Sequence, residues 1–397
     1  MILPPQMPRF GRVPAISGSP SHQSATKIVG FLVLASSCAI LSRAQQPTAE
    51  ARQPLTEKPG FRGDLARTGV FAGKGVPKLT GPLWTVKTGG PVQSSPVISD
   101  GAVYVGSDDA FLYKLDLKTG QIVWKFRTDG KITSPPVLAG TSVYAATESG
   151  TVYAIDCASG KDDKKYATNS AFAGAAPAII QGLLITPWWN TKLAALDMTT
   201  GDEKWSLAAQ GDMLGTFASA GGIVYFGNSQ PAVYAVDAVT GEEKWTFKPG
   251  GPAHMTPALT ADTVFAGSGD MFVYALDLST GKEKWKFKTG GPVWSSPAVW
   301  QGFVFAGSGD GALYALDAAT GTLKWKLTTE AVIRSSPGVA DGLVYVGGND
   351  GNVYALDAKT GKLAWTFKTG GAVGSSPAIA DGILCVGSED GTVYALH

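Results

Sequence analysis

A tryptophan that recurs at nearly constant spacing constrains this chain more than any other feature. It stands at Trp84, Trp124, Trp205, Trp245, Trp285, Trp325 and Trp365, and Tyr166 fills the one vacant place in the series. The resulting period is close to 40 residues, as in the step from Trp285 to Trp325. A fixed period of this size indicates one supersecondary unit that is stacked or arranged in a circle.

The unit that begins at Pro292 shows what is repeated. Its apolar runs are separated by Gln301-Gly302, Gly309-Asp310-Gly311 and Thr320-Gly321, and the last run ends at Leu327. Alternating Val, Phe, Tyr and Trp with Gly or Asp-Gly between the runs are strand and hairpin signals. Four antiparallel strands in about 40 residues predict the blade of a β-propeller.

The number of blades follows from a second recurring motif. Ser-Ser-Pro, or a variant of it, occurs eight times, so the sequence predicts an all-β, eight-bladed β-propeller of four-stranded antiparallel blades. The last unit stops at His397 without a fourth strand, whereas residues 83–87 form a fourth strand with no preceding three. We therefore expect strand 83–87 to complete the C-terminal blade beside Ile383–Val386 and Thr392–Leu396, which closes the ring.

The chain before the repeats divides into three segments. We expect a signal peptide at 1–44, a flexible linker at 45–60 and a lead-in at 61–80, followed by the propeller at 81–397. The apolar run Ile28–Leu41 is too short to span a bilayer and fits a signal-peptide core, with cleavage before Gln45. The alternatives are a retained anchor and a lipid attached to Cys38. We expect the lead-in to pack across the outside of the domain.

Composition and charge exclude several classes of function. The net charge is +1 and no basic run is present, so nucleic-acid binding is not predicted. Three cysteines cannot form a disulfide framework. Only His254 and His397 follow the signal segment, so a histidine-based metal site is not expected.

An aspartate recurs just before each Thr-Gly or related turn. A short carboxylate at that place accepts hydrogen bonds from backbone N–H groups of the turn. We therefore interpret the set as structural and not catalytic: Asp116, Asp156, Asp197, Asp237, Asp277, Asp317 and Asp357.

Ala-x-Asp-x-x-Thr-Gly-x-x-x-Trp together with Gly-Ser-x-Asp-Gly resembles the quinoprotein-type, PQQ-like propeller repeat. The resemblance covers roughly residues 81–397 and is closest to the BamB-like group. That group implies a non-catalytic scaffold of outer-membrane protein assembly, usually lipid-anchored. The other branch, the PQQ-dependent alcohol and sugar dehydrogenases, implies a quinone, a calcium ion and an adjacent cysteine pair. Cys157 and Cys385 are not adjacent, so no cofactor and no metal site is predicted.

In a regular array, the positions that differ between units are the ones that architecture does not fix. The clearest is the residue before Ser-Ser-Pro, at one mouth of the channel: Gln93, Ile132, Gly174, Leu214, His254, Trp294, Arg334 and Gly374. His254, Trp294 and Arg334 belong to consecutive blades, so we expect them to be neighbours that hold a planar or anionic ligand. Unconstrained loop positions are the alternative interpretation.

A second irregularity is Pro187-Trp188-Trp189-Asn190, which replaces Gly-Ser-x-Asp-Gly in blade three. Two adjacent tryptophans in a turn indicate a partner surface or, alternatively, packing against blade four. The candidate ligand or partner face therefore comprises Gln93, Trp188, Trp189, Asn190, His254, Trp294 and Arg334.

The sequence leaves three functions open. The first is a non-catalytic, monomeric, periplasmic or secreted scaffold that binds a protein or polymer of the cell envelope, with membrane contact only through the signal segment or a lipid. The second is a PQQ-dependent oxidoreductase, and the third is a carbohydrate or small-ligand binder. Because fold does not fix function, the individual residues must decide among them.

Overall fold

The computed structural model describes residues 55–58, 60–168, 175–188, 192–209, 211–213 and 215–397. These residues contain 32 strands. The strands form eight separate four-stranded antiparallel sheets. The predicted eight-bladed propeller is therefore confirmed.

Each blade contributes its strands in order from the channel to the outside. Strands β2–β17 build blades one to four: β2 (Val97–Ser99), β3 (Ala102–Gly106), β4 (Phe111–Asp116), β5 (Ile122–Arg127); β6 (Val137–Ala139), β7 (Ser142–Ala146), β8 (Thr151–Asp156), β9 (Asp162–Ala167); β10 (Ala178–Ile180), β11 (Leu183–Trp188), β12 (Lys192–Asp197), β13 (Glu203–Leu207); β14 (Ala218–Ala220), β15 (Ile223–Asn228), β16 (Ala232–Asp237), β17 (Glu243–Phe247).

The second half of the ring follows the same plan. Strands β18–β32, with β1, build blades five to eight: β18 (Ala258–Leu259), β19 (Thr263–Gly267), β20 (Phe272–Asp277), β21 (Glu283–Lys288); β22 (Ala298–Trp300), β23 (Phe303–Gly307), β24 (Ala312–Asp317), β25 (Leu323–Thr328); β26 (Gly338–Ala340), β27 (Leu343–Gly347), β28 (Asn352–Asp357), β29 (Leu363–Lys368); β30 (Ala378–Ala380), β31 (Ile383–Gly387), β32 (Thr392–Leu396), β1 (Pro82–Lys87).

The apolar core is divided into wedges between neighbouring blades. In one wedge, Val137 and Tyr144 of blade two pack with Ile179 and Leu184 of blade three. The same arrangement recurs at the other interfaces, as where Phe265 of blade five meets Tyr314 of blade six. A four-stranded sheet buries both of its faces only in this way, which explains why the unit has to be repeated.

The repeat tryptophan fastens each blade to the next. The indole N–H of Trp285 donates to the carbonyl of Ala318 in the following blade at 3.0 Å. Gly321 lies against the same ring with φ +72°, and a Cβ at that glycine would stand 2.6 Å from the indole. The glycine therefore provides both the left-handed turn and the close approach. The recurring aspartate is structural, as predicted, because Asp317 accepts the backbone N–H of Ala319 at 3.1 Å and of Thr320 at 2.9 Å.

Blade two departs from the sequence interpretation. The register of β8 and β9 pairs Ala154 with Lys164, so Lys164 occupies the tryptophan position and Tyr166 lies two residues further along the strand. The Tyr166 hydroxyl nevertheless donates to the carbonyl of Met198 at 3.0 Å, the type of bond that tryptophan makes elsewhere. Tyr166 thus makes the hydrogen bond that tryptophan makes in the other blades, but from a different position on the strand.

The ring closes as predicted. Strand β1 pairs with β32 and becomes the fourth strand of blade eight, with Thr85 opposite Tyr394. The N–H of Thr80 donates to the carbonyl of His397 at 2.7 Å. The indole of Trp365, on the outer strand of blade seven, donates to the carbonyl of Val76 at 2.6 Å, and not to a residue of blade eight.

The lead-in at 61–80 does not lie on the outside of the domain, contrary to expectation. Together with residues 55–58 and 60, which the sequence assigned to the flexible linker, it forms the segment called the strap below. It crosses the channel and bonds the exposed edges of the first strands: Lys58 N–H to Leu138 O, Glu57 N–H to Ile179 O, Ser219 N–H to Leu65 O, Leu259 N–H to Ala66 O, Val299 N–H to Thr68 O and Val339 N–H to Gly69 O, at 2.7–2.9 Å. The innermost strand of a blade has no partner on its channel side, so its free backbone groups bind the strap.

Candidate binding face and channel floor

The two faces of the ring differ in which loops they carry. The rim face carries the connections between blades and the turns between second and third strands, and Gln93 Nε2 donates there to Asp108 Oδ2 at 3.2 Å. Lys131 from the next connection pairs with the same carboxylate at 3.1 Å. The strap enters on the opposite face, where Gly182 N–H donates to Leu55 O at 2.6 Å. Among the described residues, the strap thus crosses the channel near the end opposite the rim face.

Trp294 and Arg334 are brought together on the rim face. The guanidinium carbon of Arg334 lies 5.5 Å from the centre of the Trp294 ring. Arg334 is exposed and Trp294 is half-buried. A cation stacked on an aromatic face presents a planar, cationic surface with free N–H donors, which suits carboxylates and planar ligands.

His254 lies at the equivalent place on the preceding blade and is half-buried. Burial lowers the pKa of its imidazole below the ordinary value, and the nearby carboxylate of Asp212 opposes this only in part. Its Nδ1 is buried and has no hydrogen-bond partner among the described residues. Burial therefore favours the neutral form of the imidazole, and Arg334 supplies a cation on the rim two blades further on.

Other candidates occupy less informative places. Trp188 ends β11, where its backbone pairs with Lys192. The side chain of Trp188, and Trp189 and Asn190 altogether, lie outside the described residues. In blade two the residue that precedes the Ser-Ser-Pro variant is Thr133. The sequence suggested Ile132 for this position, but Ile132 is fully buried in the core beneath the rim.

The Ser-Ser-Pro motif itself forms part of the channel wall. The first serine closes its own blade, since Gly387 N–H donates to Ser375 Oγ at 2.8 Å. The second links blades, since Ser296 N–H donates to Ser336 Oγ at 2.9 Å and Ser376 N–H to Ser95 Oγ at 2.9 Å. These hydroxyls are engaged in architecture, which accounts for their recurrence without a catalytic role.

The channel floor carries charges that sequence reasoning did not identify. Arg67 and Glu57 form a buried ion pair of 2.5 Å, and Arg67 Nε also donates to Phe217 O at 2.9 Å. Burial raises the pKa of the Glu57 carboxyl, and the Arg67 charge opposes the rise. The Arg62 guanidinium donates to the carbonyls of Pro297 and Pro337. Burial lowers the pKa of Arg62 to about 9.

These arginines were visible in the sequence as Phe61-Arg62-Gly63-Asp64 and Arg67-Thr68-Gly69. Nothing in the repeat assigned them a partner, because they belong to no period. One feature could have indicated partners for these arginines. The first strand of a blade has no neighbouring strand on its channel side, so its backbone carbonyls there need hydrogen-bond donors from elsewhere. A buried carbonyl needs a donor, and arginine supplies several.

Among the described residues there is no group of three or more His, Cys, Asp or Glu side chains placed to hold a metal ion. Cys157 and Cys385 are both free thiols, and Cys385 is fully buried. Within the described ranges no helix is long and apolar enough to cross a membrane.

Comparisons with known proteins agree with this architecture. The family model described as outer membrane protein assembly factor BamB matches residues 78–286, 246–337 and 270–397. A search of the curated proteins found no match. Similar solved structures include the quinohemoprotein alcohol dehydrogenase from Comamonas testosteroni, with a TM-score of 0.74, 17% identity, and coverage of 86% of this chain and 80% of that one.

Two further solved structures have a comparable fold. BamB from Moraxella catarrhalis has a TM-score of 0.69 and 18% identity, with 80% of this chain and 99% of that chain covered. A europium-containing methanol dehydrogenase has a TM-score of 0.70 and 14% identity, with coverage of 86% and 98%. At such identities the likeness shows the fold alone, and it includes both a protein-assembly factor and two dehydrogenases.

Proposed function

Because the chain belongs to the family of the outer membrane protein assembly factor BamB, we propose that it is an exported, non-catalytic propeller that binds a protein or polymer of the cell envelope on its rim face. The observation that carries the proposal is the exposed Arg334 stacked on Trp294 at 5.5 Å, at a position that varies between blades. Tryptophan and arginine are the residues most often found at the energetic centre of protein interfaces.

The charges around this pair favour an acidic partner. Arg334 contributes a cation, whereas burial lowers the pKa of His254 on the blade before Trp294. An aspartate or glutamate side chain of a partner could form two parallel hydrogen bonds with the guanidinium while an apolar or aromatic group packs on the indole. Such a site needs no chemistry from the propeller itself.

The alternative, a quinone-dependent oxidoreductase, requires groups that the described channel residues do not supply. In that branch of the superfamily a calcium ion accompanies the quinone, and carboxylates hold hard cations. Here the channel floor is formed by Arg62 and by Arg67, whose one carboxylate partner is already paired. A divalent cation placed there would face two guanidinium groups, so these residues do not fit the metal and its quinone.

Site-specific cross-linking tests the proposal. A photo-reactive amino acid is placed at Gln93 or Gly374 on the rim face, and at Asp341 on the opposite face as a matched control, in the cell that makes the protein. We expect a discrete cross-linked partner from the rim positions and none from the control position. The adduct should disappear in Trp294→Ala and Arg334→Ala.

A cofactor titration tests the alternative on the same purified protein. Pyrroloquinoline quinone with calcium is added while absorbance and dye-linked oxidation of alcohols and sugars are followed. We expect neither saturation nor turnover. Saturable binding accompanied by turnover would contradict the proposal, as would equal cross-linking from both faces.

A further inference from the structure

The exposed apolar side chains of the described residues are not spread evenly around the ring. Five of the seven large ones lie at the start of a fourth strand: Leu83, Ile122, Val123, Leu323 and Leu363. Their exposed fractions range from 37% to 53%. The strands concerned are β1, β5, β25 and β29, which are the outer strands of blades eight, one, six and seven. The four blades are consecutive, so these residues form one arc, called the apolar arc below.

At the position of Ile122, Leu323 and Leu363, the four blades outside the arc carry acidic residues. In blade eight that position is Pro82, and Leu83 is the residue after it. The backbone register puts Ile122 opposite Leu115 and Leu323 opposite Leu316, at a bulge near the start of the fourth strand. The equivalent residues in blades two to five are Asp162, Glu203, Glu243 and Glu283. The position is therefore tolerant of either type, and the difference between the two halves is not demanded by the fold.

Charge follows the same division. The outer strands of the apolar arc contain the cations Lys87, Lys125, Arg127, Lys324, Lys326 and Lys368, and no aspartate or glutamate. Each outer strand of blades two to five begins with at least one acidic residue. The outer strands of the arc therefore carry apolar and cationic residues, whereas the outer strands of the other four blades carry both acidic and basic residues.

Every fourth strand is also an edge. In each sheet it stands last, hydrogen-bonded to one neighbour only. Its outward backbone N–H and C=O groups are a template on which another extended chain can pair. Acidic residues beside lysines protect such an edge in blades two to five, because an incoming acidic strand is repelled. In the apolar arc that repulsion is absent.

We infer that the apolar arc is a docking surface for an extended, acidic segment of another polypeptide, which adds a fifth strand to blade one or blade six. Main-chain hydrogen bonds to the edge provide affinity, and glutamate or aspartate side chains of the segment pair with Lys125 and Arg127 or with Lys326. Lys324 is already paired with Asp317 of its own blade at 3.1 Å. Its apolar side chains cover Ile122, Val123 and Leu323. This surface lies on the outside of the ring and is separate from the rim face, so the two proposals stand or fall separately.

An extended peptide suits the arc better than a lipid surface does. The four outer strands point in different directions around half of the ring, so a flat membrane could meet only some of them. Lipid headgroups also cannot continue a ladder of backbone hydrogen bonds. A second copy of this chain is disfavoured because two such edges would bring cations face to face.

The test uses the full chain and a fluorescein-labelled decapeptide of alternating glutamate and valine. Binding is measured by anisotropy, and the same peptide with lysine in place of glutamate serves as the control probe. The variant Ile122→Glu/Leu323→Glu/Leu363→Glu introduces the residue that blades three to five already carry, so it should melt like the parent chain. We expect it to weaken peptide binding by about tenfold or more.

A matched control comes from blade four. Val239 is exposed to 47% but lies in a turn and not on an outer strand. Val239→Glu adds one glutamate away from the edge and should leave affinity unchanged, whereas Leu323→Glu alone, with the same added charge, should weaken binding. Bound peptide should also slow amide hydrogen exchange at 122–127 and 323–328. Equal affinity of the triple variant, equal binding of the lysine peptide, tighter binding to anionic vesicles, or dimerisation lost in the triple variant would each overturn the inference.

Discussion

The blades and the strap are stabilised by opposite principles. In the blades each contact is repeated, so the indole bond of Trp285 to Ala318 has counterparts such as that of Trp325 to Ala358, at 3.0 and 3.1 Å. In the strap almost every contact occurs once. Arg67 bonds Phe217 and Glu57, and no other described residue has that set of partners. The array tolerates the loss of one copy of a contact better than it tolerates the loss of a strap contact.

The difference matters because the strap joins blades that do not touch one another. Glu57 and Lys58 bind blades three and two, whereas Thr68 and Gly69 bind blades six and seven. Phe61 packs in the wedge between blades one and two, and Val76 in the wedge between blades seven and eight. Nearest-neighbour contacts stabilise a repeat array locally, and the strap adds contacts across the ring.

Removing the strap should have the largest effect. Deleting residues 1–80 takes away Phe61 and Val76, whose burial alone stabilises the fold by about 3–6 kcal/mol, together with the backbone bonds to seven blades. Deleting residues 1–54 removes none of the described contacts. We expect a large fall in the urea midpoint for the first deletion and no change for the second. Equal midpoints would mean that the blades are stable without the strap.

Breaking the buried ion pair should come next. Arg67→Met leaves the Glu57 carboxylate buried without its cation, which costs about 3–5 kcal/mol at pH 7. Arg67→Met/Glu57→Met should recover much of this loss, because no buried charge remains. Urea unfolding of the two variants and of Glu57→Met completes a double-mutant cycle.

The same pair predicts a pH dependence with a definite sign. Burial already raises the pKa of Glu57 above its ordinary value of 4.5, and in Arg67→Met the opposing charge is gone. A carboxyl whose folded pKa is raised stabilises the fold at low pH, and this contribution is lost as pH rises through the folded value. Arg67→Met should therefore recover stability, relative to the parent chain, between pH 7 and pH 5. A constant difference would contradict the buried, unpaired carboxylate.

A matched pair of tryptophans gives a smaller and sharper comparison. Trp365→Phe removes an indole bond to the strap at Val76, and Trp285→Phe removes the same bond within the repeat, to Ala318. We expect each to cost about 1 kcal/mol in the full chain. In the chain lacking residues 1–80, only Trp285→Phe should still destabilise. If Trp365→Phe still lowered the stability of the chain that lacks residues 1–80, the indole of Trp365 would stabilise the fold by contacts with the blades and not by its bond to the strap.

The turn aspartates should produce the smallest effect. Hydroxyl and backbone hydrogen bonds from Ser279 and Thr280 lower the pKa of Asp277 to about 2 from 3.8. Such a carboxyl stabilises the fold above its unfolded pKa, and that contribution is lost as pH falls through the folded value. Asp277→Asn should lower the melting temperature slightly at pH 7 and approach the parent chain near pH 2. If the difference in melting temperature between the two chains stayed the same from pH 7 to pH 2, the charge of Asp277 would not contribute to the stability of the turn.

Much of the fold could be predicted from the sequence because repetition multiplies weak signals. The strand pattern of one blade is ambiguous, whereas eight copies fix the blade, its tryptophan contact and the closure by β1. Blade two shows the limit of that reasoning. Tyr166 seemed to occupy the tryptophan position from its spacing, but backbone pairing places Lys164 there. Spacing along the chain does not report a shift in register.

The strap and the functional surfaces were less accessible. The strap has no period, so its partners could not be found by comparing copies, and it was assigned to the outside of the domain although its arginines are buried. The juxtaposition of Trp294 and Arg334 followed from topology and is present in the structure, whereas a role in binding stays a prediction. The apolar arc escaped notice because residues such as Leu323 and Glu283 are unremarkable singly, and their grouping becomes visible only around the closed ring.

The strap also has a consequence for the timing of folding. Its residues leave the ribosome before those of the blades, yet its partners include Val339 and Gly382, which are made near the end of the chain. Contacts of such high sequence separation make folding slow, since the intervening chain must be ordered before they form. While the blades are being synthesised, the strap has only some of its binding sites. The ring can therefore close fully only after the final β-hairpin has been made.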